Sequence, residues 1–134
     1  MAAPATANTS STRPTRILIV DDHDGIRRLM RRILETQDDV SAEEAQNGRI
    51  ALERIAVGEA YDVITLDLMM PELDGYGVLA ELERSRPELL SHVVVMTGCS
   101  EAATHDISER YAIVPKPFNS DELLNAVHRC SGRA

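Results

Sequence analysis

Tryptophan is absent from this chain, phenylalanine occurs once and tyrosine three times. Hydrophobic residues still make up 43% of the 134 positions, so the core is aliphatic and large enough for one domain of ordinary size. Basic side chains are also scarce. Lys and Arg together number 14 against 22 Asp and Glu, a formal net charge of −8. That balance argues against nonspecific binding to nucleic acid or to anionic membrane, since both are driven by clustered Lys and Arg. Cysteine is limited to Cys99 and Cys130, in neither CxxC nor metal-ligand spacing, which fits idle thiols in a reducing cytoplasm. No apolar run approaches the ~18 residues of a membrane span, so no membrane insertion is expected. The opening stretch MAAPATANTSSTRPT lacks the hydrophobic segment of a secretory signal. Residues 1–15 read as a disordered tail, and 16–134 as one domain of a cytoplasmic protein.

Within that domain, short β-prone runs alternate with helical periodicity. RILIV (16–20), DVSAEEA (39–45), YDVITL (61–66), HVVVM (92–96) and YAIV (111–114) read as five strands. After the first, Ile26, Leu29, Met30, Ile33 and Leu34 recur at helical spacing, with Arg27, Arg28, Arg31 and Arg32 on the polar side. A solvated face is the plain account of those arginines, and docking to an acidic surface of a partner protein is the alternative. A second helix follows the Asn47-Gly48 turn and ends near Gly58. A third runs from about Tyr76 to Arg84 and is stopped by Pro87. A short helical stretch is expected over 101–110. The last helix is expected to be capped by Ser120, with Asp121 and Glu122 in its first turn, where carboxylates suit the macrodipole. Five strands and five helices at this spacing predict a doubly wound parallel α/β sheet with right-handed crossovers.

In such folds ligands bind outside the carboxyl ends of the strands. The residues there are Asp21 and Asp22 after the first strand, Asp67 after the third, Thr97 and Gly98 after the fourth, and Lys116 after the fifth. Three carboxylates, a hydroxyl and an ammonium would then share one crevice. Any one of them could be a helix cap or a solvated side chain, but joint placement at the ligand-binding edge points to chemistry. Crowded carboxylates repel unless a cation compensates, and Mg²⁺ accepts such oxygens together with phosphate oxygens. A carboxylate held beside the ion can attack phosphorus and form an aspartyl-phosphate. Lys116 and Thr97 would supply donors to the phosphoryl oxygens, while Gly98 leaves backbone N–H groups approachable. The four histidines, His23, His92, His105 and His128, are too scattered to form a ligand set.

This constellation, carried by ILIVDDHD (17–24), DVITLDLMMPELDG (62–75), VVVMTG (93–98) and VPKPF (114–118), resembles the receiver domain of two-component response regulators. The resemblance implies a flavodoxin-like (CheY-like) sheet of order 2-1-3-4-5. It implies Asp67 as phosphoacceptor, with Mg²⁺ (Mn²⁺ as an alternative) held by Asp21, Asp22, Asp67 and the backbone carbonyl of Met69. Thr97, Gly98 and Lys116 would contact the phosphoryl group. The implied partners are a sensor histidine kinase or histidine phosphotransfer protein and a downstream protein target. Phosphotransfer would be confined to the chain's own Asp67, so it is not expected to be an enzyme with an external substrate.

Departures from the family pattern carry expectations of their own. Many receivers have an aromatic residue three positions before the lysine, where this chain has Ile113. Tyr111 lies two residues earlier and shares its face by strand alternation. Met69 cannot position water through a hydrogen bond, which predicts slow self-dephosphorylation. Cys99, two after Thr97, would need a lowered pKa to act as a redox switch. Only 18 residues follow Lys116, so a stand-alone receiver acting by protein contact is expected, with a phosphorelay intermediate as the alternative. An aspartate-nucleophile phosphatase would place a second acid where Met69 stands. A flavin binder would want a Ser/Thr/Gly-rich loop where this chain has DDHDG.

Overall fold

Isoleucine, valine and leucine cluster at the points where this chain forms its strands. A computed structural model describes residues 14–58, 60–70, 73–98 and 110–131. The strands are β1 (Thr15–Val20), β2 (Val40–Ala45), β3 (Val63–Asp67), β4 (Val93–Thr97) and β5 (Ala112–Pro115). All pair in parallel, in the order β2-β1-β3-β4-β5, which is the doubly wound architecture expected from the sequence. The helices between them are α1 (Asp24–Leu34), α2 (Gly48–Ala56), α3 (Gly75–Ser85) and α4 (Ser120–Cys130). The helical stretch expected over 101–110 falls almost wholly on residues 99–109, outside the described residues, as do Cys99 and residues 1–13 of the expected tail.

Alternation along each central strand divides the core into two layers, because successive side chains point to opposite faces. Leu18, Val20, Ile64, Leu66, Val93 and Val95 pack with Ala51 and Ile55 of α2 and Val78, Leu79 and Leu82 of α3. Ile17, Ile19, Val63, Val94 and Met96 face the other way, against Met30 and Leu34 of α1 and Leu123, Ala126 and Val127 of α4. All five residues of β3 and all five of β4 are buried, as expected of parallel strands covered on both sides. Tyr111 and Ile113 do share a face: both pack against the layer of α2 and α3, while Val114 lies in the opposite layer. Among the described residues no helix is long and apolar enough to cross a membrane.

Several local expectations need correction. Thr15 belongs to β1 rather than to the tail, its N–H donating to Asp39 O at 2.7 Å. The last helix is capped by Asn119, not Ser120. The Asn119 side chain accepts from the N–H of Glu122, whose carboxylate in turn accepts from Asn119 N–H. Asn47, read as a turn residue, is the N-cap of α2, and Asp74 is the N-cap of α3. Proline does end α3, but Pro87 then starts a 3₁₀ turn, Pro87–His92, that sequence periodicity did not show. Arg27 also does not lie on the polar face with its neighbours. It is buried, at 8% exposure, under α1 and against β2.

Candidate functional site

The sheet brings its ligand-binding edge together with few degrees of freedom left. Asp67 and Thr97 are themselves the last residues of β3 and β4, so the ladders hold their backbones: Asp67 lies opposite Met96, and Thr97 opposite Pro115. Lys116 N–H donates to Thr97 O at 2.8 Å, which ties the end of β5 to the end of β4. Asp21 follows β1 directly, its N–H donating to Ala45 O at 3.2 Å. Beyond β3 the chain turns sharply. Leu68 N–H donates to Met96 O and Gly75 N–H to Leu68 O, each at 3.1 Å, so α3 begins hard against the strand that ends in Asp67.

The predicted side chains converge. One carboxylate oxygen from each of Asp21, Asp22 and Asp67 lies within 4.8 Å of the others. Lys116 Nζ donates to Asp21 Oδ2 at 2.7 Å and stands 3.3 Å from Asp67 Oδ2. Asp21 and Asp67 are buried, whereas Asp22 is exposed. These three acids and Lys116 line an open crevice with His23, Ile26, Met69 and Gly98. Thr97 is buried at the end of β4, one residue before Gly98. A Cβ on Gly98 would meet nothing within 4 Å, so that glycine borders the crevice without being required for room. Met69 N–H donates to Asp67 Oδ1 at 3.1 Å, and His23 N–H to Asp21 Oδ1 at 2.8 Å; each buried acid is therefore held by the backbone two residues on.

Electrostatics follow from this crowding. Burial, and then the charge of Asp21, push the Asp67 carboxyl above the ordinary aspartate value, against the opposing pull of Lys116 and the Met69 N–H. Burial alone would lower Lys116. The bond to Asp21 and the charges of Asp21 and Asp67 outweigh it and leave the ammonium pKa raised. Lys116 is also the only lysine in the chain, every other side-chain cation of that class being arginine. An oxygen-only donor set, partly open to solvent and with more negative than positive charge, suits a hard divalent cation.

Sequence reading missed one residue of this neighbourhood. Arg27 donates from Nη1 to the backbone carbonyl of Asp21 at 2.7 Å and from Nε to Glu44 Oε1 at 3.1 Å, and its other Nη pairs with Asp24. Periodicity could not reveal this, because the Arg27 position borders the apolar stripe while its guanidinium reaches past it.

The family model for the response regulator receiver domain matches residues 17–128. The chain is 40% identical over 119 residues to the response regulator MprA of Mycolicibacterium vanbaalenii, covering 83% of this chain and 48% of that protein. It is 38% identical over 128 residues to the transcriptional regulatory protein ResD of Bacillus subtilis, covering 92% of this chain and 50% of that one. The chain therefore spans about half the length of these curated relatives. Among solved structures, the receiver domain of a Francisella response regulator aligns with a TM-score of 0.74 at 27% identity, over 87% of this chain and 96% of that domain. Fold, strand-end acids and these matches agree: the chain belongs to the response regulator receiver domain family.

Proposed function

We propose that Asp67 accepts a phosphoryl group from a phosphohistidine on a sensor histidine kinase or histidine phosphotransfer protein in the cytoplasm. The observation that carries this reading is the convergence of Asp21, Asp22 and Asp67 with the Lys116 ammonium at one open sheet edge. An Asp67 oxygen attacks phosphorus; the O–P bond forms as the P–N bond breaks, and the imidazole keeps the electron pair and takes up a proton. Lys116, already between Asp21 and Asp67, balances the charge arriving on the phosphoryl oxygens, and the Thr97 hydroxyl and the Gly98 backbone at the end of β4 add donors. Asp21, Asp22, Asp67 and the Met69 carbonyl would hold Mg²⁺, or Mn²⁺ in its place. When bound, the ion offsets the repulsion between these carboxylates and an incoming phosphate.

The domain would then act through phosphorylation-dependent contacts with a downstream protein rather than with nucleic acid. Transfer stays confined to its own Asp67, with no turnover of an external phosphate ester. Met69 favours a second reading within the same chemistry. It lines the crevice at 60% exposure and has no side-chain group to orient water, so a long-lived phosphate able to pass to another histidine is supported.

Intact mass after incubation with acetyl phosphate tests the proposal. A single phosphoryl adduct that requires Mg²⁺ and is absent from Asp67→Asn is expected, and its rate of decay separates switch from carrier. An adduct that persists in Asp67→Asn would overturn the assignment.

A further inference from the structure

We infer that Arg27 is a positioning residue for the acid pair, setting the direction of Asp22 through the peptide that joins it to Asp21; this rests on the metal-assisted reading above. Asp21 is tied down at every polar atom. Its N–H donates to Ala45 O, Oδ1 accepts from His23 N–H, Oδ2 accepts from Lys116, and its carbonyl accepts from Arg27 at 2.7 Å. That carbonyl belongs to the peptide unit whose nitrogen is that of Asp22. Holding it sets the plane of the peptide, and with it the direction in which Asp22 leaves the chain. Asp22 is exposed, so it depends on the backbone for its aim, whereas Asp21 is packed on every side.

The environment of Arg27 is built for that task. The guanidinium is nine-tenths buried and spans three acceptors on three segments: the Asp21 carbonyl after β1, Asp24 in the first turn of α1, and Glu44 on β2. Glu44 is itself held by Arg31, at 3.3 Å from Nη1. Arg31 in turn lies 3.5 Å from Glu35, so the anchor is braced from the solvent side of α1. The three bonds leave from three different nitrogens, Nη1, Nε and Nη2; an ammonium also has three N–H donors, but all on one nitrogen, so it cannot reproduce that spread. Groups that orient the ligands of a cation rather than touching it ordinarily shift its affinity by about 10- to 100-fold.

Charge and positioning predict opposite signs, which makes the inference testable. Arg27 is a buried cation paired with two carboxylates, Asp24 and Glu44, next to the acid pair, so removing it should tighten cation binding if charge alone matters. If it aims Asp22, removing it should weaken binding. Mg²⁺ affinity would be measured by isothermal titration calorimetry on the parent chain, Arg27→Gln, Arg27→Lys and Asp22→Ala, with thermal unfolding recorded for each. The expected result is at least about tenfold weaker binding by folded Arg27→Gln than by the parent. Binding that is unchanged or tighter would overturn the inference, even if the melting temperature falls. Should Arg27→Gln fail to fold, Arg27→Lys decides. It keeps the charge, so weakened binding supports positioning, and parental affinity overturns it. A parent chain that binds no Mg²⁺ would overturn the metal reading and this inference together; parental binding lost in Asp22→Ala but unaltered in both Arg27 variants overturns this inference alone.

Discussion

At the residue scale, the defining feature is a buried carboxylate held in a state that folding disfavours. Asp67 has its pKa raised by burial and by Asp21, so the folded protein holds that proton to a higher pH than the unfolded chain does. The sign follows directly. Stability is lost as pH climbs from the ordinary aspartate value through the raised one, and stays reduced above it. Asp67→Asn removes the titration, so without divalent metal it should melt higher than the parent at neutral pH. The gap should close as pH falls below the ordinary carboxylate range. Thermal unfolding across pH 3 to 8, a window chosen to bracket the reference carboxylate values, checks this; a variant less stable than the parent at pH 7 would contradict it. Much of this scale was legible beforehand. Asp21, Asp22, Asp67, Thr97 and Lys116 all stand where strand-end reasoning put them, because a strand's last residue is simply where an apolar run stops. Lys116 carries a further signal in the sequence, as the only lysine in the chain. Arg27 was not legible, since its place on α1 depends on Glu44, 17 residues away on β2.

At the element scale, the site depends on how tightly α3 is drawn against the end of β3. A Cβ on Gly75 would lie 2.5 Å from Asp67 O and 2.6 Å from Leu68 Cα, and backbone atoms cannot move aside as a side-chain tip can. Gly75→Ala should therefore cost about 1–3 kcal/mol in urea unfolding through overpacking. It should also slow phosphorylation, because relief of the clash displaces the peptide after Asp67. Gly98→Ala is the contrast. It meets open space, so its stability should stay within about 0.5 kcal/mol of the parent. Equal losses in both would show that close approach at Gly75 is not what positions the loop. Element type was readable from periodicity, whereas element ends were not. Asn119 and Ser120 are both good caps, and only the reciprocal bonds between Asn119 and Glu122 decide between them. The 3₁₀ turn Pro87–His92 has no period of its own to read.

At the scale of the whole molecule, one parallel sheet does two jobs. It buries an aliphatic core on both faces, and it delivers side chains from four of its strands to one edge. The strand order places β1 and β3 side by side at the centre, so the acids that follow β1 meet the acid that ends β3. β5 lies two strands from β3, and the length of a lysine side chain closes that gap to reach both Asp21 and Asp67. This convergence was foreseen because a parallel sheet can be wound in few ways and the strand ends must then share an edge. The most direct measurement is to present the protein with a phosphohistidine donor and Mg²⁺, trap the product with borohydride, and map the peptides by mass spectrometry. An aspartyl-phosphate is reduced to homoserine, so the account predicts homoserine in place of Asp67 and nowhere else. Homoserine at Asp21 or Asp22, or loss of phosphate from the donor with Asp67 unlabelled at every time point, would contradict it.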